Sequence, residues 1–402
     1  MKILLSAIYP YVYLLLFLTI PFEDYIRALP NVLMAILVIV FPFVVKKEDF
    51  KKIDRSLILL LLLFFGYLVV NAALSGTLGE DFSIIKKVLI AVGLVLLYIP
   101  VNDFDKIKKA IIFSSIAAII FSVINIVVLT NTLSDFNFGD SPMIIEALLV
   151  DRLYLGLLAV LSILVSYSLM RPKFHPKNRY YLANIIINTL FLFLISTKIA
   201  LLLLVFLLLL RQLYGTKKRV RIPILVLFVA ILGTLFYVGL THKDDKEPSL
   251  LTNLVTNTMT WELRSETWEC GWKIAKKKGV NWAGIGFYNT KDQLVSCYKT
   301  EITNLEKKQE FIDKRYNTHN QFLDFYNSAG LIGLLLFSIL IIALFVKKRH
   351  QYFPVALLLS LVAYCMVENV FHRQIGAYYI GFILIVLVSN KMVAQNNTLN
   401  EG

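Results

Sequence analysis

The sequence contains few charged residues and few cysteines for a chain of 402 residues. Asp, Glu, Lys and Arg together occupy 17% of the positions, and they are concentrated in short clusters between long apolar runs. Because a soluble domain spreads charge over its whole surface, this pattern excludes an ordinary soluble fold. The chain also lacks a Walker loop, a Gly-rich dinucleotide fingerprint and the H-E-x-x-H and G-x-S-x-G motifs. The sequence therefore gives no support to the common nucleotide-dependent and hydrolytic enzyme classes.

Three cysteines are too few for a disulfide framework. Cys365 lies inside an apolar run, and we interpret it as a packing residue. Cys270 and Cys297 lie in one long polar segment. The sequence leaves open whether these two form a disulfide or remain free thiols.

The apolar runs predict an all-α polytopic membrane protein. Hydrophobic residues make up 58% of the chain, and each run approaches the ~20 residues that a helix needs to cross a membrane. The runs lack the alternation of a membrane β-barrel, which leaves helices as the spanning structure. We predict about twelve transmembrane helices, at roughly 3–22, 29–45, 56–75, 87–101, 109–130, 153–170, 180–196, 199–210, 222–241, 329–346, 351–367 and 375–390.

The first run has the basic start and apolar centre of a signal peptide. No A-x-A cleavage site follows it, and Pro10 interrupts it. We therefore expect it to be a retained first span.

The basic residues predict the orientation of the bundle. The net charge is +14, but Lys and Arg fall in every second connection, so no nucleic-acid partner is expected. By the positive-inside rule these connections and both termini face the cytoplasm. The basic connections are 46–55, 103–109, 171–179, 211–221 and 347–350.

The apolar stretch 181–210 is predicted to be two helices. Both of its flanks are basic, so the chain must cross the membrane twice between them. The turn then falls at Ser196-Thr197-Lys198, beneath the outer interface because each arm is short. This turn places Lys198 in an outward-facing cavity, where a buried cation is costly and usually functional.

The same topology divides the chain into three parts. Residues 1–241 form the first part of the bundle, with spans 1–9. Residues 242–327 form a long outer loop that we expect to contain short helices and the reactive residues. Residues 328–402 hold spans 10–12 and a cytoplasmic tail.

The predicted orientation of the bundle places His242, His319 and His372 on the outer side of the membrane. His319 comes shortly before the tenth span, on a short helix that we expect to lead into it. An imidazole there suits acid–base work, although a solvated surface histidine is the alternative. We interpret the acidic run after His242 as a solvated loop, so no metal site is predicted.

Arginines add candidate anion ligands at the same outer side. Arg264 lies in a segment whose aromatic spacing predicts an amphipathic helix, and guanidinium clamps phosphate with two hydrogen bonds. A pair with Glu262 or Glu266 is the alternative for Arg264. Arg152 and Arg373 lie at predicted outer helix ends, where snorkelling to the interface also explains an arginine.

Six short motifs occur in a fixed order along the chain. They are Ser196-Thr197-Lys198 before an apolar helix, Arg264 with Trp268 and Trp272, Gly284-Ile285-Gly286, His319-Asn320, the Ala329 to Gly333 segment, and the loop Glu368 to Gln374 with Gly376. This order resembles the O-antigen ligase and O-antigen polymerase (Wzy-type) superfamily over about residues 150–390.

The resemblance implies a GT-C-like glycosyltransferase in the bacterial inner membrane with a periplasmic active site. Such an enzyme moves a glycan from undecaprenyl diphosphate to a hydroxyl of the lipid A core or a similar acceptor, with inversion and without metal or cofactor. A polysaccharide polymerase is the nearest alternative, and transfer to a protein hydroxyl is a third. A lipid or glycan transporter is less well supported, because it would predict inverted repeats.

Carried onto this sequence, the resemblance makes His319 the catalytic base, with Arg264 and Lys198 as diphosphate ligands. We group Arg373 with these ligands by its position at the outer mouth. Glu368 and Asn320 are expected to orient His319 or the acceptor. The family usually carries Arg where this chain has Lys198, which keeps the charge but loses the bidentate fork.

Overall fold

The computed structural model describes residues 2–101, 104–132, 148–171, 175–214, 261–277 and 279–389. Regular secondary structure in these ranges is helical, apart from one isolated bridge between Ile53 and Ser389. The α-helices are α1 (Lys2–Thr19), α2 (Ala28–Val44), α3 (Arg55–Leu74), α4 (Leu78–Leu97), α5 (Phe104–Thr132), α6 (Arg152–Leu169), α7 (Asn178–Leu194), α8 (Lys198–Leu213), α9 (Trp261–Lys277), α10 (Phe287–Glu301), α11 (Leu305–Lys314), α12 (Gln321–Lys348), α13 (Tyr352–Val367) and α14 (Gln374–Val388).

Five of the described helices are long and apolar enough to cross a membrane, namely α1 with the 3-10 turn after it, α3, α5, α6 and α12. Three more, α2, α13 and α14, are apolar but shorter. Large apolar side chains also cover the outside of the bundle; Leu74 is 85% exposed and Ile39 is 67% exposed. Such a surface suits lipid and not water. The protein is therefore an all-α polytopic membrane protein.

Eleven of the twelve predicted spans coincide with described helices. The ninth, 222–241, lies outside the described residues, and α4, α7 and α8 are not among the eight apolar helices named above. The count of twelve spans therefore stays a prediction. The stretch 181–210 is divided into α7 and α8, as the flanking charges predict. The turn between them includes Ser196 with φ of 49°.

Helix α14 forms the centre of the bundle. Every residue from Ile375 to Val388 is buried, and the helix packs along α4. A helix that is buried on all sides needs apolar residues on all sides. This packing fixes the start of α14 and with it the loop 368–373 that carries part of the site.

The connections gather at two opposite ends of the bundle. At one end Lys347 pairs with Asp54. At the other end Nζ of Lys87 donates to the carbonyl of His372, at 2.7 Å. The basic connections and the remaining connections were predicted to lie on opposite sides, and these two ends agree with that. The orientation of each end in a membrane remains a prediction.

Helix α12 is broken at Gly330, which has φ of 74° and ψ of −175°. The segment before α10 crosses the break, where the N–H of Leu331 donates to the carbonyl of Asn281 at 2.8 Å. A Cβ at Gly330 would lie 2.2 Å from the carbonyl oxygen of Trp282, so only glycine fits. The break separates a short helix beginning at Gln321 from the long apolar helix that follows, and the crossing segment pairs backbone groups that the break frees.

Helices α9, α10 and α11 form a small helical cap within the predicted outer loop. Cys270 of α9 and Cys297 of α10 are joined by a disulfide with an S–S distance of 2.02 Å. The sequence leaves open whether these cysteines pair or remain free thiols, and in the structure they pair. Tyr298 and Phe311 pack beside it in a small apolar cluster. The stretch 287–315 contains α10 and α11, in agreement with the short helices expected in this loop.

Candidate functional site

His319 and Glu368 form a hydrogen-bonded pair between the turn before α12 and the loop after α13. Nδ1 of His319 lies 3.0 Å from Oε2 of Glu368. Their side chains are 16% and 9% exposed, so His319 is not the solvated surface histidine of the alternative interpretation. The expectation that His319 lies on a helix is wrong, because it precedes the Asn320 cap of α12.

The turn that carries His319 is strained and held from several sides. His319 has φ of 44°, a conformation that costs a non-glycine residue about 1–3 kcal/mol unless its surroundings impose it. Its N–H donates to Oδ1 of Asn317 at 2.9 Å, and its carbonyl accepts from Nε1 of Trp268 at 3.4 Å. The side chain of Asn320 accepts two N–H groups of the first turn of α12. Asn320 therefore orients the turn through the helix cap.

The hydrogen bond to Glu368 assigns the proton of neutral His319 to Nδ1, because a carboxylate can only accept. Nε2 then keeps its lone pair, and it is buried without a hydrogen-bond partner among the described residues. Burial alone would raise the pKa of Glu368, but the hydrogen bond that His319 donates and the positive charges of Arg264 and Arg373 hold that pKa below its usual value. The arrangement is that of an imidazole base supported by an ionised carboxylate.

Arg264 reaches this pair from α9. Its Nε donates to the carbonyl of Val367 at 3.1 Å, directly before Glu368. Burial lowers the pKa of Arg264 and the nearby carboxylate of Glu368 opposes that change, so the guanidinium stays charged. Glu266 pairs with Lys307 at 3.2 Å, and the side chain of Glu262, the other partner in the alternative interpretation, lies outside the described residues.

Lys198 and Arg152 lie at the starts of α8 and α6. Arg152 interacts electrostatically with both Lys198 and Arg264, which brings three cations from separate helices into one region. The side chain of Lys198 is exposed at an apolar cavity of about 630 Å³ between α6, α7 and α8. The expectation of a buried Lys198 is therefore wrong; the residue lies at the surface of the helix start.

Arg373 lies beside the pair with a partner of its own. Its Nη2 is 3.5 Å from a carboxylate oxygen of Asp151, and its guanidinium lies 5.8 Å from the ring centroid of Tyr154. An anionic ligand would share Arg373 with Asp151.

A second imidazole–carboxylate pair, which the sequence did not reveal, lies beside the first. Nε2 of His372 is 2.9 Å from Oδ2 of Asp324, and Asp324 is buried. Asn369 joins the two pairs: its Oδ1 accepts the N–H of Asn320 at 2.7 Å, and its Nδ2 lies 3.4 Å from Nε2 of His372. The partners are far apart in sequence, and the only signal was the density of polar residues in the loop 368–374.

Comparison with protein families matches residues 183–338, less than half of the chain, to the family described as O-antigen ligase. The matched range contains Lys198, Arg264 and His319, and it ends within α12 before Glu368. No curated protein and no solved structure matches the chain.

Proposed function

We propose that this protein is a glycosyltransferase that moves a glycan from undecaprenyl diphosphate to an acceptor hydroxyl, because residues 183–338 match the family described as O-antigen ligase. The acceptor is the lipid A core or a similar molecule. The reaction is inverting and metal-independent, and it takes place at the periplasmic face of the inner membrane.

The observation that carries this proposal is the His319–Glu368 pair, in which Nε2 of His319 has no hydrogen-bond partner among the residues that the structure describes. An acceptor hydroxyl must lose its proton as its oxygen attacks the anomeric carbon of the donor. Nε2 of His319 takes that proton, a contribution of roughly 10²–10⁴-fold for a positioned base. Glu368 then stabilises the imidazolium and keeps the ring in the correct tautomer.

Departure of the lipid diphosphate places negative charge on the oxygen that leaves the sugar. Arg264 and Lys198 stabilise this charge, and Arg152 adds a third cation to the same region. Attack from the face opposite the diphosphate inverts the anomeric carbon. Arg373 supports the ionised state of Glu368 and contacts the ligand less directly, since Asp151 pairs with it.

The arrangement in the membrane follows from the same proposal. Residues 1–241 and 328–402 carry the spans with both termini in the cytoplasm, and residues 242–327 lie on the periplasmic side. The described part of that loop supplies α9 with Arg264 and the turn with His319.

A polysaccharide polymerase is the second candidate, because it uses the same donor and the same chemistry. The two differ in whether the acceptor is a second lipid-linked glycan. A transporter is less well supported, since the two largely buried imidazole–carboxylate pairs of the described part, His319 with Glu368 and His372 with Asp324, lie together at one end of the bundle.

Deletion of the gene followed by gel analysis of surface glycans tests the proposal. A ligase predicts long chains that accumulate on the lipid carrier and are missing from the acceptor. A polymerase predicts acceptors that carry single repeats. Complementation with the wild-type gene should restore the pattern and His319→Ala should not; an unchanged glycan pattern in the deletion strain would rule out both candidates.

A further inference from the structure

A polar cavity opens at the outer end of the bundle, next to the loop that carries Glu368. It has a volume of about 270 Å³ and lies between the end of α1, α4 and the start of α14. Its polar lining consists of Glu23, Asp24, Lys87, His372, Arg373 and Gln374. Apart from Arg373, the proposed transfer reaction leaves these side chains without a role.

His372 lines this cavity, and its hydrogen bonds fix the tautomer of its ring. Its Nε2 faces the buried carboxylate of Asp324 at 2.9 Å, so this nitrogen carries the proton of the neutral ring. Nδ1 has no hydrogen-bond partner among the described residues and is free to accept one. Lys87 fixes the backbone at this point by its bond to the carbonyl of His372.

Glu23 adds a carboxyl group to the cavity. Its Oε2 is buried and makes no hydrogen bond within the described part of the chain. Burial, reinforced by the charge of Asp24, raises the pKa of Glu23 to about 7, although Lys87 and Arg373 oppose the rise. A buried carboxyl oxygen without a partner is costly, and a ligand hydroxyl would satisfy it.

The balance of charge around the cavity decides between an anionic and a neutral ligand. Glu23 and Asp24 are matched by Lys87 and Arg373, and Arg373 already pairs with Asp151. A diphosphate would therefore meet two carboxyl groups and no surplus of cations. Hydroxyl groups both donate and accept, and they match a lining of carboxyl, ammonium, imidazole and amide groups.

The size of the cavity also favours a sugar over a lipid diphosphate. Small-molecule pockets measure roughly 300–1,000 Å³, and this one lies just below that range. It has room for a single sugar ring but not for a lipid diphosphate with its sugars.

We propose that this cavity is the acceptor subsite, which binds one sugar residue of the acceptor glycan through its hydroxyl groups. The inference rests on the proposed transferase function and names the place where its second substrate is held. Asn369 contacts both the segment of His319 and the ring of His372, so a sugar in the cavity is held at a fixed position relative to the base. No bond is made or broken in the cavity itself.

Transfer kinetics test this inference with purified full-length protein. The probes are the donor lipid and the acceptor lipid extracted from the deletion strain. Lys87→Met and Glu23→Gln should each raise the KM for the acceptor about tenfold or more, with kcat and the KM for the donor nearly unchanged. Lys86→Met and Glu80→Gln are the matched controls, because both residues are exposed and lie outside the cavity.

The kinetic outcomes distinguish failure of the transferase function from failure of the acceptor subsite. Wild-type protein that transfers no glycan from the extracted donor contradicts the transferase function. Wild-type transfer combined with an unchanged acceptor KM in both cavity variants contradicts the subsite alone.

Carbodiimide labelling of the wild-type protein gives a second measurement that does not depend on variants. Dicyclohexylcarbodiimide reacts with protonated carboxyl groups in apolar surroundings, and mass spectrometry identifies the peptide that contains Glu23. The extracted acceptor lipid should protect Glu23 from labelling, whereas inorganic diphosphate should not. Protection by diphosphate alone, or by neither probe, overturns the inference.

Discussion

His319 and Glu368 are 49 residues apart in the chain, yet Nδ1 of one lies 3.0 Å from Oε2 of the other. The contact ties the turn before α12 to the loop after α13. Arg264 reinforces it from α9 through its bond to the carbonyl of Val367. Three separate segments thus meet at one imidazole, and disturbing any of them should affect the same reaction.

Replacement of Glu368 by Gln should slow transfer by about 10²–10⁴-fold. The amide oxygen of Gln can still accept the proton of Nδ1, but it carries no charge to stabilise the imidazolium. The KM for the donor should change little. Initial rates of transfer with extracted donor lipid check this, and a rate within about twofold of wild type would remove Glu368 from the reaction.

The same variant should change how stability depends on pH. The pKa of Glu368 is held below its usual value in the folded protein, so its ionised form stabilises the fold above the unfolded pKa of about 4.3. That contribution is lost as the pH falls through the folded pKa. The difference in thermal unfolding between wild type and Glu368→Gln should be constant above about pH 5 and shrink below it; a difference that grows on acidification would contradict the stated direction of the shift.

Replacement of Lys198 by Arg should be tolerated far better than replacement by Ala. The positive charge at the start of α8 is what the diphosphate requires, and Arg keeps it. Lys198→Ala should raise the KM for the donor about tenfold or more. Lys177→Ala, at the opposite end of the bundle, is the control for general loss of charge; equal loss of activity in Lys198→Arg and Lys198→Ala would argue against a phosphate contact.

Replacement of Gly330 by Ala should destabilise the protein by at least about 2 kcal/mol. A Cβ there would meet the carbonyl of Trp282, and the residue has positive φ. Gly66→Ala in α3 is the matched control, because nothing lies within 4 Å of the added Cβ, and its effect should stay within about 1 kcal/mol. Thermal unfolding in detergent measures both variants; similar midpoints would show that the break in α12 does not depend on glycine.

Loss of the Cys270–Cys297 disulfide should loosen the helical cap. The bond closes a loop with a sequence separation of 27, for which a stabilisation of about 2–4 kcal/mol is typical. Limited proteolysis of the cap should become faster when reductant is added to the wild type or to Cys365→Ala. The Cys270→Ser/Cys297→Ser variant should be cleaved equally fast with and without reductant, and resistance of the reduced wild-type cap would contradict this prediction.

The bundle could be predicted because its signals are local. Apolar length and alternating basic connections are properties of single segments, and they located eleven helices and the turn between α7 and α8. The break in α12 at Gly330 could not be predicted in the same way, because it depends on Trp282 and Asn281 crossing the helix. The apolar pattern of the sequence continues through such a break, and only the tertiary contact reveals the break.

The site could be predicted in part, through motifs that resemble a known family. Those motifs named His319, Arg264 and Glu368, which the structure brings together. They did not reveal the Asp324–His372 pair, because hydrogen bonds between distant segments leave no spacing rule in the sequence. The exposure of Lys198 was also mispredicted, since length and charge alone do not tell which side chains the bundle encloses.

The most direct test of the account is transfer by purified full-length His319→Gln, with labelled donor lipid and acceptor lipid from the deletion strain. The His319→Gln variant should bind the labelled donor as wild type does, and its transfer rate should fall by about 10²–10⁴-fold. The control variant His350→Gln, at the opposite end of the bundle, should stay fully active. Transfer at the wild-type rate by His319→Gln would contradict the account.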